Sequence, residues 1–194
     1  MNRNLSVVAL LAFSCAAAVA WAESGRALVD ERWTNGVSGW TVSNVNDVVS
    51  IGVKDGVFRA ENKNAPGTKG SSYFTICSEL VKVAPGEEFV AIMESRGNLD
   101  MLMPVTTFRA KENQIRAFLP ATAVLWYDAD RKPLLAVDAS GAILPTGSSF
   151  GFADMSDDFA LTRHFGTVPK GAAFAAVQVG GKYPSFSPGK WLEL

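Results

Sequence analysis

The stretch VVSIGVKDGVFRAE, residues 48–61, decides the fold class. Two runs of β-branched and apolar residues flank the pair Asp55-Gly56. An Asp-Gly pair in that setting is a strong signal for a two-residue hairpin, because both central residues of the turn take positive φ. Alternation along the second run places Phe58 and Ala60 on the face opposite Arg59. The stretch therefore predicts an antiparallel hairpin with one apolar face.

The same pattern of short apolar runs between turn signals continues along the chain, and it predicts many short strands. The further runs are residues 72–83 (one strand or two), 89–94, 121–127, 133–137, 172–179 and 191–194. Residues 102–110 and 114–119 are expected to form another pair, and residues 138–162 a long irregular stretch. No amphipathic helix of convincing length interrupts the strands. The sequence therefore predicts an all-β fold, an antiparallel β-sandwich of jelly-roll type.

The N-terminus has the three parts of a secretory signal. Arg3 is followed by an apolar run, and Ala20-Trp21-Ala22 gives signal peptidase a small-x-small site before Glu23. The apolar run is shorter than the ~20 residues of a membrane-spanning helix, which disfavours an uncleaved anchor. Phe13 fits poorly before a lipidated Cys15. We expect residues 1–22 to be a signal peptide and residues 23–194 to be a single domain, secreted or held in the periplasm or at the cell surface.

Charge and cysteine content exclude several classes of protein. The 194-residue chain has a formal net charge of −1, which argues against nucleic acid as a partner, since nucleic-acid binders present a basic face. After Ala22 no apolar run is long enough to span a membrane. Cys77 is the one cysteine beyond the signal, so the domain can form no internal disulfide. In its strand-like setting we interpret Cys77 as a small buried apolar residue rather than a reactive thiol.

No catalytic motif is present. The sequence has no nucleophile elbow, no zinc-protease helix motif and no phosphate-binding glycine loop. His164 is the single histidine, and no serine or cysteine in a nucleophile context accompanies it. A carboxylate pair of the glycosidase kind is an open alternative, although nothing in the sequence selects two acids. We expect the chain not to be an enzyme.

Short segments at both ends and in the middle of the chain resemble galactose-binding-like jelly rolls, the fold of many carbohydrate-binding modules. They are the Trp33-Thr34-Asn35-Gly36 turn with Trp40, the strand–turn–strand of residues 126–133, the hairpin around residues 168–179, and the final run of residues 191–194. The resemblance implies a sugar-binding β-sandwich. Thr34 stands where such domains often place a calcium-binding glutamate, so a structural calcium is a possibility that the resemblance leaves open.

The resemblance also directs attention to aromatic and polar side chains, because sugar rings stack on aromatics while arginines and amides hold their hydroxyls. We expect Trp33, Trp40 and Trp191 to fill the core, and the neighbours Trp126 and Tyr127 to face opposite sides of their strand. The candidate ligand-binding residues are Tyr73, Arg96, Tyr127, Arg163 and Tyr183. The candidate calcium ligands are Asp30, Glu31 and Glu193.

The sequence therefore leaves two hypotheses for the function. The first is a secreted, non-catalytic carbohydrate-binding domain. The second is a structural or adhesive cell-surface domain that contacts another protein and takes no small ligand. The acidic group Asp154, Asp157 and Asp158 lies on the predicted irregular stretch, and its spacing differs from that of helix–loop–helix calcium sites. We interpret it as a solvated turn.

Overall fold

The computed structural model describes most of the domain and a short N-terminal segment. The described residues are 5–9, 25–43, 45, 47–66, 68, 72–99, 122–137, 143–145, 147–150, 156–182 and 186–194. Within these ranges the regular structure is entirely β, and no helix there is long and apolar enough to cross a membrane.

Most of the strands belong to two sheets. The larger sheet contains, in spatial order, β2 (Gly25–Ala27), β1 (Leu5–Ala9), β8 (Glu88–Gly97), β15 (Trp191–Glu193), β5 (Val57–Asn62) and β4 (Val49–Lys54), with β13 (Ala160–Thr167) also paired to β8. The second sheet contains β12 (Gly147–Phe150), β9 (Thr122–Tyr127), β14 (Phe174–Lys182), β6 (Tyr73–Ser78) and β3 (Trp40–Ser43), with β7 (Val81–Lys82) also paired to β14. A separate hairpin joins β10 (Leu135–Val137) to β11 (Ile143–Pro145).

The two sheets pack face to face around one aromatic core. Phe58 of β5 lies 6.4 Å from Phe74 of β6, measured between ring centroids. Phe89 of β8 meets Trp126 of β9 edge to face at 5.2 Å. These rings come from opposite sheets, so burial of apolar area between the sheets holds the domain together. The chain is an all-β sandwich, antiparallel apart from the pairings of β1, and the predicted fold class is confirmed.

The hairpin that decided the fold class forms as its sequence indicates. Asp55 has φ 53° and Gly56 has φ 75°, the pair of positive values that a tight two-residue hairpin turn requires. The register pairs Lys54 with Val57 across the turn. Phe58 is buried in the core. Arg59 lies on the opposite face of the same strand and is half-buried.

The structure differs from expectation between residues 138 and 162. That stretch was expected to be irregular, but it contains β11, β12 and the start of β13. The alternation in β13 is the reverse of the usual one, because its larger apolar side chains, Leu161 and Phe165, point away from the core. The predicted strands at residues 102–110 and 114–119 lie outside the described residues.

One strand lies inside the predicted signal peptide. β1 pairs in parallel with β2 and with β8, and Leu5 lies opposite Glu88 at the start of that register. The other pairing of β8, with β13, is antiparallel and runs from Glu88 to Ser95. Strand β8 is thus a central element of the larger sheet, and side chains on its outer face can meet those of the strands beside it.

Candidate functional site

The outer face of the larger sheet, the side away from the core, carries a row of charged residues. Glu193 of β15 lies opposite Arg59 of β5 on one side and opposite Arg96 of β8 on the other. Directly opposed residues in an antiparallel pair share one face of the sheet, so register alone brings these three side chains together. We refer to them as the Arg–Glu–Arg row.

Hydrogen bonds join the row from end to end. Arg59 Nη1 donates to Glu193 Oε1 at 2.8 Å, and Arg96 Nε donates to Glu193 Oε2 at 2.5 Å. Arg59 Nε also donates to Glu61 at 3.2 Å, and Arg96 Nη1 to the Asp157 carbonyl at 3.3 Å. The Glu193 side chain is only 11% exposed, whereas both arginines remain more than a third exposed. Water therefore reaches the two guanidinium groups but scarcely reaches the carboxylate.

An aromatic ring lies under each end of the row. The Arg59 guanidinium carbon lies 4.6 Å from the Trp191 ring centroid, and the Arg96 guanidinium carbon lies 4.6 Å from that of Phe159. These distances suit cation–π contact, which holds each guanidinium flat against its ring. Trp191 is half-buried on this outer face, so the expectation that it fills the core was wrong. Its neighbour Leu192 points inward instead.

The row fixes the charge state of Glu193. Burial alone would raise the pKa of this carboxyl, but the hydrogen bonds from Arg59 and Arg96 outweigh burial and hold the pKa below its ordinary value. Burial opposes a rise in the pKa of Arg59, but its hydrogen bonds to Glu193 and Glu61 outweigh burial and raise that pKa. At neutral pH the row carries two positive charges around one negative charge, with Glu61 supplying a second carboxylate beside Arg59.

The low pKa of Glu193 predicts a pH-dependent contribution to stability. A carboxyl whose pKa is depressed by folding stabilises the protein above its unfolded pKa, here near 4.5, and that contribution is lost as pH falls through the folded pKa. We expect Glu193→Gln to lower the free energy of unfolding at pH 7 by about 1–2 kcal/mol, a value reduced by solvent around the arginines. The difference from the unmodified protein should shrink below pH 4.5.

Urea unfolding at pH 7, 5 and 3.5 tests this expectation. The matched control is Glu61→Gln, which removes an exposed carboxylate with one arginine partner. That variant should change stability by less than about 0.5 kcal/mol at every pH. Equal losses for both variants, or a Glu193→Gln loss that is independent of pH, would contradict the role given to Glu193.

A second feature of the outer face is a row of exposed side chains along β13. Leu161 is 38% exposed and Phe165 is 62% exposed, and the exposed Arg163 lies between them. Successive residues of this set are two positions apart, so they share one face at a spacing of about 6.6 Å. We refer to Leu161, Arg163 and Phe165 as the β13 ridge. Phe159, 38% exposed, extends its apolar surface toward the Arg–Glu–Arg row.

Two of the five predicted ligand-binding residues lie on this face, about 13 Å apart along the strand direction, because Arg163 lies opposite Ile92. Arg96 belongs to the Arg–Glu–Arg row, and Arg163 belongs to the β13 ridge. The structure places Tyr73 in the other sheet, where the backbone of β6 pairs it with Lys182. Tyr183 lies outside the described residues.

Tyr127 also lies in the second sheet, whereas Arg96 and Arg163 lie in the larger one. As predicted, it faces away from its buried neighbour Trp126. Burial raises the pKa of the Tyr127 hydroxyl to about 12, with its bond to Cys77 adding to the effect. Burial likewise raises the pKa of the Cys77 thiol to about 11, so the thiol is protonated and unreactive at neutral pH.

The three proposed calcium ligands have separate partners. Glu31 accepts a hydrogen bond from the Trp33 backbone N–H at 2.6 Å and another from Trp40 Nε1 at 2.8 Å, which ties the N-terminal turn to the core. Asp30 pairs with Arg32 at 3.4 Å, and Glu193 lies between its two arginines. Among the residues that the structure describes, no group of three acidic, cysteine or histidine side chains is placed to hold a metal ion.

His164 lies in the middle of β13 rather than ahead of a strand. Its ring centroid is 6.0 Å from that of Phe89, on the side of the strand that faces the core. Asp157 and Asp158 are exposed at a bend just before β13, in agreement with their interpretation as a solvated turn. Asp154 lies outside the described residues.

Six contributors to the outer face were missed by sequence reasoning: Arg59, Glu61, Phe159, Leu161, Phe165 and Trp191. A usable signal existed for two of them. Arg59 alternates with buried apolar residues, and Phe165 alternates with polar ones, so both were assignable to a solvent-facing side. Their proximity depends on which strands pair, and that information is not local in the sequence.

Comparison with known proteins supports the fold and identifies no protein family for the chain. No protein-family model matches the chain, and no curated protein matches it. The β-sandwich recurs in a solved structure. It is the enzymatically active domain of tailspike protein 4 from bacteriophage CBA120, with a TM-score of 0.50 and 14% sequence identity. The alignment covers 81% of this chain but only 18% of the tailspike chain.

A second solved structure is a mutant of CBM29-2, a family 29 carbohydrate-binding module. Its TM-score is 0.34 at 6% identity, and the alignment covers 80% of this chain and 72% of that one. This likeness is too distant to support an argument. The tailspike likeness supports a shared fold and nothing about activity.

Proposed function

We propose that this chain is a non-catalytic carbohydrate-binding protein and that a glycan lies across the outer face of its larger sheet. The observation that carries the proposal is the exposure of Phe165, 62% of whose surface meets solvent on a face that also carries the exposed Phe159 and the half-buried Trp191. Large apolar side chains exposed on one face are a feature of interaction sites, and Phe165 and Phe159 lie about 20 Å apart along β13. Aromatic rings beside arginine and carboxylate groups suit a sugar, whose C–H face stacks while its hydroxyls are hydrogen-bonded.

The arrangement assigns a role to each group. Phe165 offers a flat apolar surface to a pyranose ring. Arg59 and Arg96 keep some of their N–H groups exposed. Each guanidinium is held in place by an aromatic ring and by Glu193. Donors fixed in this way lose little side-chain entropy when a ligand binds. The face is open, so binding should be weak, with a dissociation constant on the order of micromolar to millimolar.

Calorimetry against soluble polysaccharides, chosen after a glycan array, tests the proposal. We expect Phe165→Ala to weaken binding about 5- to 30-fold, because stacking on one ring contributes about 1–2 kcal/mol. The matched control is Leu135→Ala, which removes another exposed apolar side chain from a different hairpin. Binding should be unchanged in that control. If no glycan binds at millimolar concentration, or if Phe165→Ala binds as well as the unmodified protein, carbohydrate binding at this face is wrong.

An adhesive role is the second candidate, and one observation favours it. β13 pairs only with β8 within the described residues, so the β13 ridge lies along an edge of the part of the larger sheet that the structure describes. An open edge can accept a strand from another protein. In that case a cell-surface protein would replace the glycan as the partner, and Phe165→Ala would weaken capture of that protein while glycan arrays stayed blank.

Export and lack of catalysis complete the proposal. Cleavage after Ala22 would remove β1 and leave β8 paired with β13 and β15. N-terminal sequencing of the mature protein should therefore begin at or near Glu23, outside the cytoplasm, and an intact Met1 would overturn export. Incubation with glycoside and ester substrates should give no turnover. Turnover abolished by substitution of one carboxylate would establish an enzyme instead.

A further inference from the structure

We infer that the glycan bound by this face carries a carboxylate or sulfate, and that Arg163 is the residue that recognises it. The inference rests on the proposed function and adds the class of sugar. It starts from a difference among the three arginines of the outer face. Arg59 and Arg96 each form an ion pair with Glu193, whereas no described residue bonds to the guanidinium of Arg163.

The described residues around Arg163 give its guanidinium no ion-pair partner. It lies opposite Ile92 of β8, and its neighbours along the ridge are the apolar Leu161 and Phe165. The adjacent carboxyl on β8 is Glu94, opposite Leu161, and it forms no ion pair with Arg163. Burial raises the pKa of the Glu94 carboxyl above its ordinary value. At the other end of the ridge Glu88 lies opposite Thr167 and has a partner of its own.

The chemistry of arginine then selects the ligand group. A guanidinium presents a planar fork of N–H donors that matches a carboxylate or sulfate with two parallel hydrogen bonds. Phe165 is two residues away on the same face, about 6.6 Å along the strand. A sugar ring stacked on Phe165 therefore places an acidic ring substituent within reach of Arg163. A neutral sugar would stack on Phe165 but would offer no negatively charged group to the Arg163 guanidinium.

Calorimetry with matched oligosaccharides tests the inference. The probes are a galacturonic acid tetramer, a sulfated galactose tetramer and an unmodified galactose tetramer, each at low and at 0.3 M salt. We expect at least one acidic probe to bind at least tenfold more tightly than the neutral one at low salt. Arg163→Ala should reduce that ratio to about twofold, and Arg163→Lys should retain part of it. Added salt should reduce the ratio, since the contact is exposed.

The control variant is Arg32→Ala, which removes an exposed arginine from the N-terminal segment and changes net charge equally. It should leave the ratio intact, and thereby separates local recognition from overall charge. Equal binding of acidic and neutral probes overturns the inference but leaves carbohydrate binding standing. Preference for acidic probes that survives Arg163→Ala also overturns it. Failure of every probe, including the neutral one, rejects the inference and the proposed function together.

Discussion

Replacement of Trp126 by alanine is expected to lower the free energy of unfolding by about 3–5 kcal/mol, the largest effect of any single substitution considered for this protein. Trp126 is 2% exposed and lies edge to face against Phe89 of the opposite sheet. Its removal leaves a cavity between the two sheets that neighbouring side chains can fill only in part. A domain of this size is stabilised by about 5–15 kcal/mol, so the variant should unfold at markedly lower urea concentration.

The matched control is Trp191→Ala, which deletes the same side chain from the outer face. There the loss is the stacking on Arg59 and some half-buried area, together about 1 kcal/mol. Urea unfolding followed by far-ultraviolet circular dichroism measures both variants without relying on the deleted fluorophore. If Trp191→Ala lowered the free energy of unfolding as much as Trp126→Ala, Trp191 would have to be a core residue and not part of the proposed binding face.

Gly97→Ala is expected to be the second most damaging change, with a loss of about 3 kcal/mol at the upper end of the range for overpacked positions. A Cβ at residue 97 would lie 2.4 Å from the Trp191 carbonyl oxygen and 3.2 Å from the Leu192 Cα. Both are backbone atoms of β15, so no side-chain rotation relieves the clash. The strands β8 and β15 would have to separate at this point.

Separation there would also disturb the Arg–Glu–Arg row, because Arg96 and Glu193 are the next pair in the register. Thermal unfolding and glycan binding should therefore both weaken in Gly97→Ala. The control is Gly52→Ala in β4, where an added Cβ meets nothing within 4 Å. Since glycine in a strand interior is less favourable than alanine by about 0.5–1 kcal/mol, Gly52→Ala should be neutral or slightly stabilising. A destabilised Gly52→Ala would show that glycine loss alone explains the effect.

Sequence reasoning was most successful where the determinants are local. The Asp55-Gly56 turn, the inward Phe58, and the opposite orientations of Trp126 and Tyr127 all follow from turn chemistry and the two-residue period of a strand. These features depend on residues a few positions apart. The all-β class follows because such local signals recur along the whole chain.

The candidate site was harder to predict because it is assembled by strand pairing. Arg59 and Glu193 are 134 positions apart, and Arg96 and Glu193 are 97 apart. Nothing in their immediate sequences indicates that β15 inserts between β5 and β8. The prediction that Trp191 fills the core was made without knowledge of this strand pairing. It assumed that an aromatic in a terminal apolar run points inward, as is usual.

The position of β15 has a consequence for how the chain folds. This strand lies between β5 and β8, yet it follows both of them by about a hundred residues or more. Closing loops of that length must precede any gain from the contacts they permit, so the entropy of chain closure opposes the rate-limiting step. We therefore expect refolding on the millisecond-to-second timescale typical of β-sandwiches, and stopped-flow dilution from urea measures it. A polypeptide still lacking β15 would keep the edges of β5 and β8 unpaired, and it would remain unfolded longer than one whose sheet forms from consecutive strands.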